Sequence, residues 1–430
     1  MSSILTNNGA MVALQTLQSI NKSLGQTQSE ISTGKSVANA KDNSAVWAIS
    51  KQMESDVKGF KAIQESLALG ESTVAVARNA SETVTDLLTQ IKGKIVASQE
   101  ENVDRAKIQT DIDALRDQIG AVVGAAQFNG LNLLSNKETD EGTGEVNILA
   151  SLDRSGSGVT SSSISVSKED LGTEASAIAN AAGSVATATN NVTGDGDAAA
   201  FAVAGNATTR NDADFTIGAD VTAGQGYSIT ISAGAGAFGG TALNTAALND
   251  IRYVARDGDT QTDVAQGLAD SFNAYISSKG FADTGVTATA GDNGAVKVVG
   301  ALVAADGFSV AVNSHASTDT TIGGGLERLN NVDVTTNQGT DNALADIEGL
   351  IQTAIDSSAA FGSSQGRIET QADFISKLSD SLKSGIGALV DANMEEASAR
   401  LQALQVQQQL ATQSLSIANQ APQSILSLFR

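Results

Sequence analysis

Residues 394–420 read MEEASARLQALQVQQQLATQSLSIANQ, and counting alternately three and four from Met394 lands on Ala397, Leu401, Leu404, Gln408, Ala411, Leu415 and Ala418. All but Gln408 are apolar. Such a seven-residue repeat makes a stripe that a lone helix cannot bury by itself. The opposite end carries a matching one: Leu17, Leu24 and Ile31 recur at seven, with Leu14 as an intermediate step. Two stripes at opposite termini can cover each other, or the same stripes on another copy. The ends of the chain therefore read as assembly devices.

Inward of these ends the helical count continues. From Ile49 it passes Met53, Asp56, Phe60, Ile63, Leu67, Gly70, Val74, Ala77, Ser81, Val84, Leu88, Ile91 and Ile95. A helix over Ser44 to Gln99 would be about 80 Å long. Ile108, Ile112, Leu115, Ile119, Val122 and Ala126 mark a shorter return that ends at the turn pair Asn129-Gly130. On the far side, Ile347, Ile351, Ala354 and Ile355 share a face. Ile368, Gln371, Ile375, Leu378, Leu382, Gly385 and Leu389 extend it. The count slips between Leu389 and Met394, beside Gly385 and Gly387, which reads as a joint between an inner and a terminal helix.

The middle differs. Val146 to Leu149 and Ser163 to Val166 have the look of a hairpin. From about Asn190 to Asp341 the chain is rich in Gly, Ala, Thr and Asp, with alternating runs at 215–217, 227–231, 286–289, 296–299 and 308–312. Thr262 to Tyr275 has helical spacing between them, through Val264, Leu268 and Phe272. The expected fold is mostly α with an α+β insert. Its terminal helices pair as coiled coils, and its long helices form a bundle with a β-hairpin.

Composition agrees. The 430 residues hold no cysteine, so disulfides and thiolate metal sites are excluded. Pro422 is the single proline, which suits long helices, since an interior proline costs roughly 3 kcal/mol. A net charge of −22 argues against a nucleic-acid or anionic-membrane partner. No run approaches the roughly 18 apolar residues of a membrane span. Residues 1–10 have neither a basic n-region nor an apolar h-region, so a general secretory signal is not expected.

These ends resemble a bacterial flagellin. The N-terminal likeness runs through Ile4-x-Thr6-Asn7, Ala13-Leu14, Leu17, Leu24, Ile31-Ser32-Thr33-Gly34-Lys35 and Ala40-Lys41-Asp42-Asn43-Ser44-Ala45, with Ala126-Gln127-Phe128-Asn129-Gly130 further in. The C-terminal likeness runs from Leu389-Val390-Asp391-Ala392 through Gln407-Gln408-Gln409-Leu410 and Ser414-Leu415-Ser416-Ile417-Ala418-Asn419-Gln420 to Ile425, Leu428 and Phe429. It covers roughly the first 180 and last 90 residues and is greatest to alphaproteobacterial flagellins, which often carry Lys-Asp-Asn at 41–43.

The resemblance implies a self-assembling subunit of the flagellar propeller, exported unfolded by a type III route to the cell exterior and ordered at its termini on polymerisation. It implies other flagellin copies as partners, in a homopolymer or mixed filament. It also implies an export chaperone at the C-terminal segment, a filament cap and hook-junction proteins. The segments expected are 1–43 and 389–430 as the two halves of the inner coiled coil, 44–185 and 342–388 as the two halves of the bundle, and 186–341 as a variable surface insert. Intersubunit contact is expected at Leu14, Leu17, Leu24, Ile31, Met394, Leu401, Leu404, Leu415, Ile425, Leu428 and Phe429. The bundle core is expected at Ile49, Phe60, Ile63, Leu67, Val74, Leu88, Ile91, Ile112, Leu115, Ile119, Ile375, Leu378 and Leu382. Where other flagellins present an arginine and a glutamate to a vertebrate innate receptor, Gln90 and Gly93 stand here, so that recognition is expected to be weak. A hook–filament junction protein and a type III-secreted coiled-coil tip protein share the terminal scheme and are the alternatives.

No catalysis, cofactor or metal is expected. Gly234-x-Gly236-x-x-Gly239 follows an alternating run rather than the wholly apolar strand of a dinucleotide fold, and reads as a flexible loop. Asp257-x-Asp259-x-Gln261-x-Asp263 imitates a calcium loop but has Thr262 at the sixth place and Leu268 at the twelfth, so it reads as a solvated acidic turn. Asp195 and Asp197 read the same way. His315, the single histidine, follows Asn313-Ser314 and reads as a surface side chain. Trp47 reads as a packing anchor early in the long helix.

Overall fold

The computed structural model describes residues 7–155, 158–179, 192–194, 201–203, 212–238, 243, 245, 248–303 and 306–428, with 192–194, 201–203, 421–428 and some strand ends described by backbone alone. In chain order the helices are α1 (Asn8–Thr33), α2 (Ser44–Ala97), α3 (Arg105–Ala125), α4 (Gln261–Ser278), α5 (Asn337–Val390) and α6 (Met394–Leu428). The strands are β1 (Gln127–Phe128), β2 (Leu131–Asn132), β3 (Glu145–Ser155), β4 (Gly158–Ser167), β5 (Ala177–Ile178), β6 (Val192–Gly194) and β7 (Phe201–Val203). They continue as β8 (Asp212–Ile217), β9 (Gly226–Ala235), β10 (Arg252–Val254), β11 (Thr287–Ala290), β12 (Ala295–Val299), β13 (Gly307–His315) and β14 (Thr320–Thr321). The chain divides into two compact units, one of Met1–Glu65, Ser151–Thr160 and Ala372–Arg430, the other of Ser66–Ala150 and Ser161–Gln371.

In the larger unit the helical count is realised as burial. Leu67, Val74, Ala77, Ser81, Val84, Leu88, Ile91 and Ile95 of α2 are all buried, as are Ile112 and Ile119 of α3 and Ile347, Leu350, Ala354, Phe361 and Ile368 of α5. Ion pairs Lys94–Asp111 and Lys92–Glu348, each 2.5 Å, tie α2 to α3 and to α5. Ile355 does not share the buried face as expected. It is 42% exposed, and Ser357 and Phe361 take the inward places instead. After α3 the chain reverses between β1 and β2 through Asn129 and Gly130, both with positive φ (51° and 82°). That is the geometry an Asn-Gly pair supplies at least cost. β3 and β4 form the expected two-stranded sheet.

The insert in this unit contains two four-stranded sheets, ordered β10-β9-β13-β7 and β11-β12-β8-β6. The alternating runs read from the sequence fall in these strands, except that Val286 lies one residue ahead of β11. α4 starts on a capping box, Thr260 with Asp263, and buries Val264, Leu268, Phe272 and Ile276 in a core shared with Phe215, Tyr227, Ile229, Val296 and Val310. Its Asn273 amide gives to and takes from the backbone of Ala288 at the β11 edge (2.9 and 2.7 Å), closing that edge as a neighbouring strand would.

Three readings change here. Asp257, Asp259 and Asp263 are not free in a solvated turn: the first two are half-buried, and all three are hydrogen-bonded. Asp257 accepts from the Gly144 amide, Asp259 from the Tyr253 hydroxyl and the Arg256 amide, and Asp263 caps α4. Burial pushes the Asp259 carboxyl above the usual range. His315 is not on the surface. It ends β13 at 1% exposure, with Nε2 2.9 Å from Ser228 Oγ. Its cover is the β5–β14 pair, whose Ile178 and Thr320 lie against Gly226, the cross-strand partner of His315. Gly234 and Gly236 lie at the end of β9 and in the turn after it, while Gly239, Asp195 and Asp197 fall outside the described residues.

Candidate assembly interface: the terminal helix pair

In the smaller unit α1 and α6 pack along one another. α1 begins at an Asn7 cap whose Oδ1 accepts from the Ala10 amide (3.1 Å), and it ends at Gly34 in the left-handed region (φ 67°), where glycine carries no Cβ penalty. α6 begins after Asn393, which caps Glu395 and Glu396. Both glutamates suit the positive end of the helix dipole. The joint between the long and terminal helices is therefore Asp391–Asn393, and Gly385 and Gly387 stay within α5.

Three contacts set an antiparallel pairing. Lys35 and Asp391 form a β-bridge, flanked by Ser36 N to Val390 O (2.7 Å) and Ala392 N to Gly34 O (3.0 Å). Midway, Gln408 Nε2 donates to Asn21 Oδ1 (2.7 Å). At the far end Asn7 Nδ2 donates to the Ala418 carbonyl (2.8 Å). The connector is fixed by its own turn chemistry: Asp42 accepts from the Ala38 and Asn39 amides, and Asn43 caps α2 by accepting from Val46 N. Lys35 also reaches Glu54 (3.9 Å), whose carboxyl is held below its usual range chiefly by Lys51.

Between Met394 and Gln420 the positions that are not exposed are Ala397, Leu401, Leu404, Gln408, Ala411, Leu415 and Ala418. They are the seven reached by counting from Met394. Met394 itself is 44% exposed and lies outside the seam. On α1, Leu17, Leu24 and Ile31 are half-buried as seam positions. Leu14, expected as the intermediate step, faces away at 46% exposure. The intermediate steps are Ala13, Ile20 and Thr27, the last 2% exposed. The signal for them was the even three-four count from Ala10, which favours a small and a polar residue over the larger Leu14.

Phe60, Ile63 and Ile375 are buried, as are Leu67, Val74, Leu88, Ile91, Ile112 and Ile119, while Leu115, Leu378 and Leu382 are half-buried. Ile49 is not in the core: it is 54% exposed, and its neighbour Ser50 is the buried residue. Trp47 is half-buried. The side chains of Ile425 and Leu428, and Phe429 entirely, lie outside the described residues.

A second apolar stripe, not read from the sequence, runs along the outer face of α6. Val406 (56% exposed), Leu410 (56%) and Ile417 (69%) are spaced four and seven, about half a turn from the seam. α1 adds exposed Met11, Val12 and Leu14. Across Leu401–Leu428 there is no charged residue, although the whole chain carries −22. Among the described residues no group of three or more His, Cys, Asp or Glu is placed to hold a metal, and no helix is long and apolar enough to cross a membrane.

Residues 4–139 match the bacterial flagellin N-terminal helical region, and residues 344–429 match the bacterial flagellin C-terminal helical region. Flagellin A of Rhizobium meliloti is 34% identical over 432 residues, and Flagellin B of the same organism 33% over 436, each alignment spanning the whole of both chains. A flagellin of Brucella melitensis biotype 1 is 29% identical over 431 residues, again across both full lengths. FlgL of Xanthomonas campestris has a loosely similar structure (12% identity, 79% of this chain and 99% of that one, TM-score 0.33). With both termini matched and a third of all residues shared from end to end, the chain belongs to the bacterial flagellins, the structural subunits of the extracellular flagellar filament.

Proposed function

We propose that the α1–α6 pair is the polymerisation element, and that the outer stripes of Met11, Leu14, Val406, Leu410 and Ile417 are covered by the same helices of neighbouring copies. The observation that carries this reading is the outer face of α6 from Leu401 onward, free of charge and bearing exposed Val406, Leu410 and Ile417, in a chain whose net charge is −22. Copies of so acidic a protein repel one another, and the repulsion is least where neither surface carries charge. Each fully covered Leu, Ile or Val contributes roughly 1.5–3 kcal/mol. A lone pair of helices with a seam of Ala, Gln and Thr among its leucines is marginal. Ordering of the ends and docking are then one event, in which the neighbour's surface offsets the chain entropy lost.

On this reading 1–43 and 389–430 form the inner coiled coil of the filament, 44–185 and 342–388 the surrounding bundle, and 186–341 the exposed insert. Ile49 is positioned for a copy-to-copy contact. The chain passes unfolded through a type III export channel. A chaperone covers the C-terminal segment beforehand, and the cap and hook-junction proteins meet the polymer at its two ends. The role is structural, without catalysis, cofactor or metal.

The test is assembly of Leu410→Asp and Ile417→Asp chains, followed by sedimentation and electron microscopy. The expected result is a subunit with unchanged circular dichroism that fails to form filaments. Normal filaments from both variants would sink the reading.

A further inference from the structure

We propose that two side-chain amides, Asn7 and Gln408, are positioning residues that hold α1 and α6 in one register out to the free end of the pair. The proposal rests on the reading that this pair is the polymerisation element.

A heptad seam repeats every seven residues, so a slip of one heptad again sets apolar positions against apolar positions. Uniform seams are therefore poor at choosing a register, and a polar residue at a seam position supplies the choice. Gln408 is the one polar residue among the seven seam positions of α6, and its amide donates to Asn21 at 2.7 Å. A slip of one heptad toward the start of α1 would set Gln408 at the level of Leu14, which offers its side chain no acceptor.

Asn7 acts at the far end with both halves of one amide. Its Oδ1 caps α1 at Ala10 N, and its Nδ2 reaches across to the Ala418 carbonyl. The approach there is close: a Cβ added at Gly9 would stand 4.0 Å from Ala418 Cβ. Small residues on both helices bring the Asn7 amide within reach. The opposite slip would put Ile425 in the place of Ala418, with a branched side chain where an alanine now stands. Each amide thus opposes one direction of slip. The Lys35–Asp391 bridge fixes the connector end, leaving more than twenty residues of each helix beyond it.

The chain has no cysteine, so introduced pairs report register cleanly. The 4.0 Å separation lies within the Cβ range of a disulfide. Full-length chains carrying Gly9→Cys with Ala418→Cys are assembled, oxidised, dissolved without reductant and run on a gel, where the intrachain bond gives a faster band. A companion chain with Gly9→Cys and Ala411→Cys reports a one-heptad slip. The first pair is expected to close at least tenfold more than the companion. Adding Gln408→Leu is expected to raise this companion's share at least tenfold, and adding Asn7→Asp is expected to do the same for a second companion, Gly9→Cys with Ile425→Cys, which reports the opposite slip. Asn7→Asp keeps a good helix cap and removes only the cross-helix donor, which separates clasp from cap. A variant that does not polymerise alone is read as a minority copy within wild-type filaments. If the ratio stays unchanged in both variants, the connector bridge alone sets register and the proposal is overturned. If the unsubstituted chain forms no filament, the assembly reading has failed instead.

Discussion

Gly70 of α2 and Ile148 of β3 share one contact volume: a Cβ at residue 70 would stand 2.5 Å from Ile148 Cδ1, 2.7 Å from Cγ2 and 2.9 Å from Cγ1. The glycine stands in the apolar count because the hairpin strand rests on the helix backbone there. Leu152 meets Gly59 in the same manner, at 2.9 Å. Gly70→Ala gains roughly 1 kcal/mol of helix propensity and meets an overpacking cost of about 1–3 kcal/mol. Because the atoms in the way include both γ-carbons of a β-branched side chain, the cost is expected to win. The net loss should be about 1 kcal/mol in urea unfolding of the soluble subunit. Ile148→Val, which removes the nearest atom, should recover part of it in the double variant.

Gly323-Gly324-Gly325 marks where the chain leaving the hairpin for the insert crosses the chain returning from it. A Cβ at Gly324 would lie 2.0 Å from the Gly172 carbonyl oxygen, and one at Gly323 would lie 2.2 Å from Ser176 N. None of the three has positive φ, so closeness of backbone, not conformation, requires glycine. Leu326 N to Gly172 O (2.9 Å) and Gly324 N to Glu174 O (2.8 Å) hold the crossing, and Arg252 and Arg256 clamp it through Ser176 O and Gly323 O. Gly324→Ala must separate two backbones and should cost more than about 2 kcal/mol. Amide exchange should accelerate first in 170–179 and 322–329. Gly366→Ala, in α5 with nothing within 4 Å, is the control and should stabilise by up to about 1 kcal/mol.

How far the sequence could be read depended on where the covering group lay. The α6 seam was legible position by position, because heptad spacing depends only on its own helix. Leu17, Leu24 and Ile31 were legible for the same reason. Leu14 is large but lies off the even three-four count, and Ala13, Ile20 and Thr27 hold the places it was expected to share. His315 was misread because its cover comes from Ile178, well over a hundred residues earlier, and nothing local announces it. The outer stripe of Val406, Leu410 and Ile417 was present in the letters but hidden behind the stronger inner one. Gly70 was visible only as an exception, since its reason is a side chain on another element.

His315 gives the subunit a pH response whose sign follows from its burial. Desolvation lowers its pKa below the ordinary value, and Asp319 in the turn after β13 opposes that in part. Its other neighbours, Ser228 and Gly226 of β9, Thr320 of β14 and Ile178 of β5, bring no charge. Nδ1 is buried without a hydrogen-bond partner, so in the charged ring the Nδ1–H has no acceptor, while Nε2 keeps Ser228. The unfolded chain therefore binds the proton more readily than the folded one. The stability that the neutral ring contributes is complete above about pH 6.5 and is lost as pH falls through the lowered folded value. The slope is at most about 1.4 kcal/mol per pH unit within that window. Glu169 works the other way: burial, with Asp259, Asp263 and Asp356 nearby, raises its pKa, so the fold gains stability as it protonates in more acidic solution. The two are separated by His315→Gln, whose amide can still meet Ser228 but does not titrate. Denaturant midpoints between pH 8 and 5 are expected to fall in the wild type below pH 6.5 and to fall less in the variant. Because the chain has a single histidine, its imidazole resonance can be followed without assignment. Titration at or above pH 6.5, with no loss of stability, would show that the ring is not held neutral beneath the β5–β14 pair.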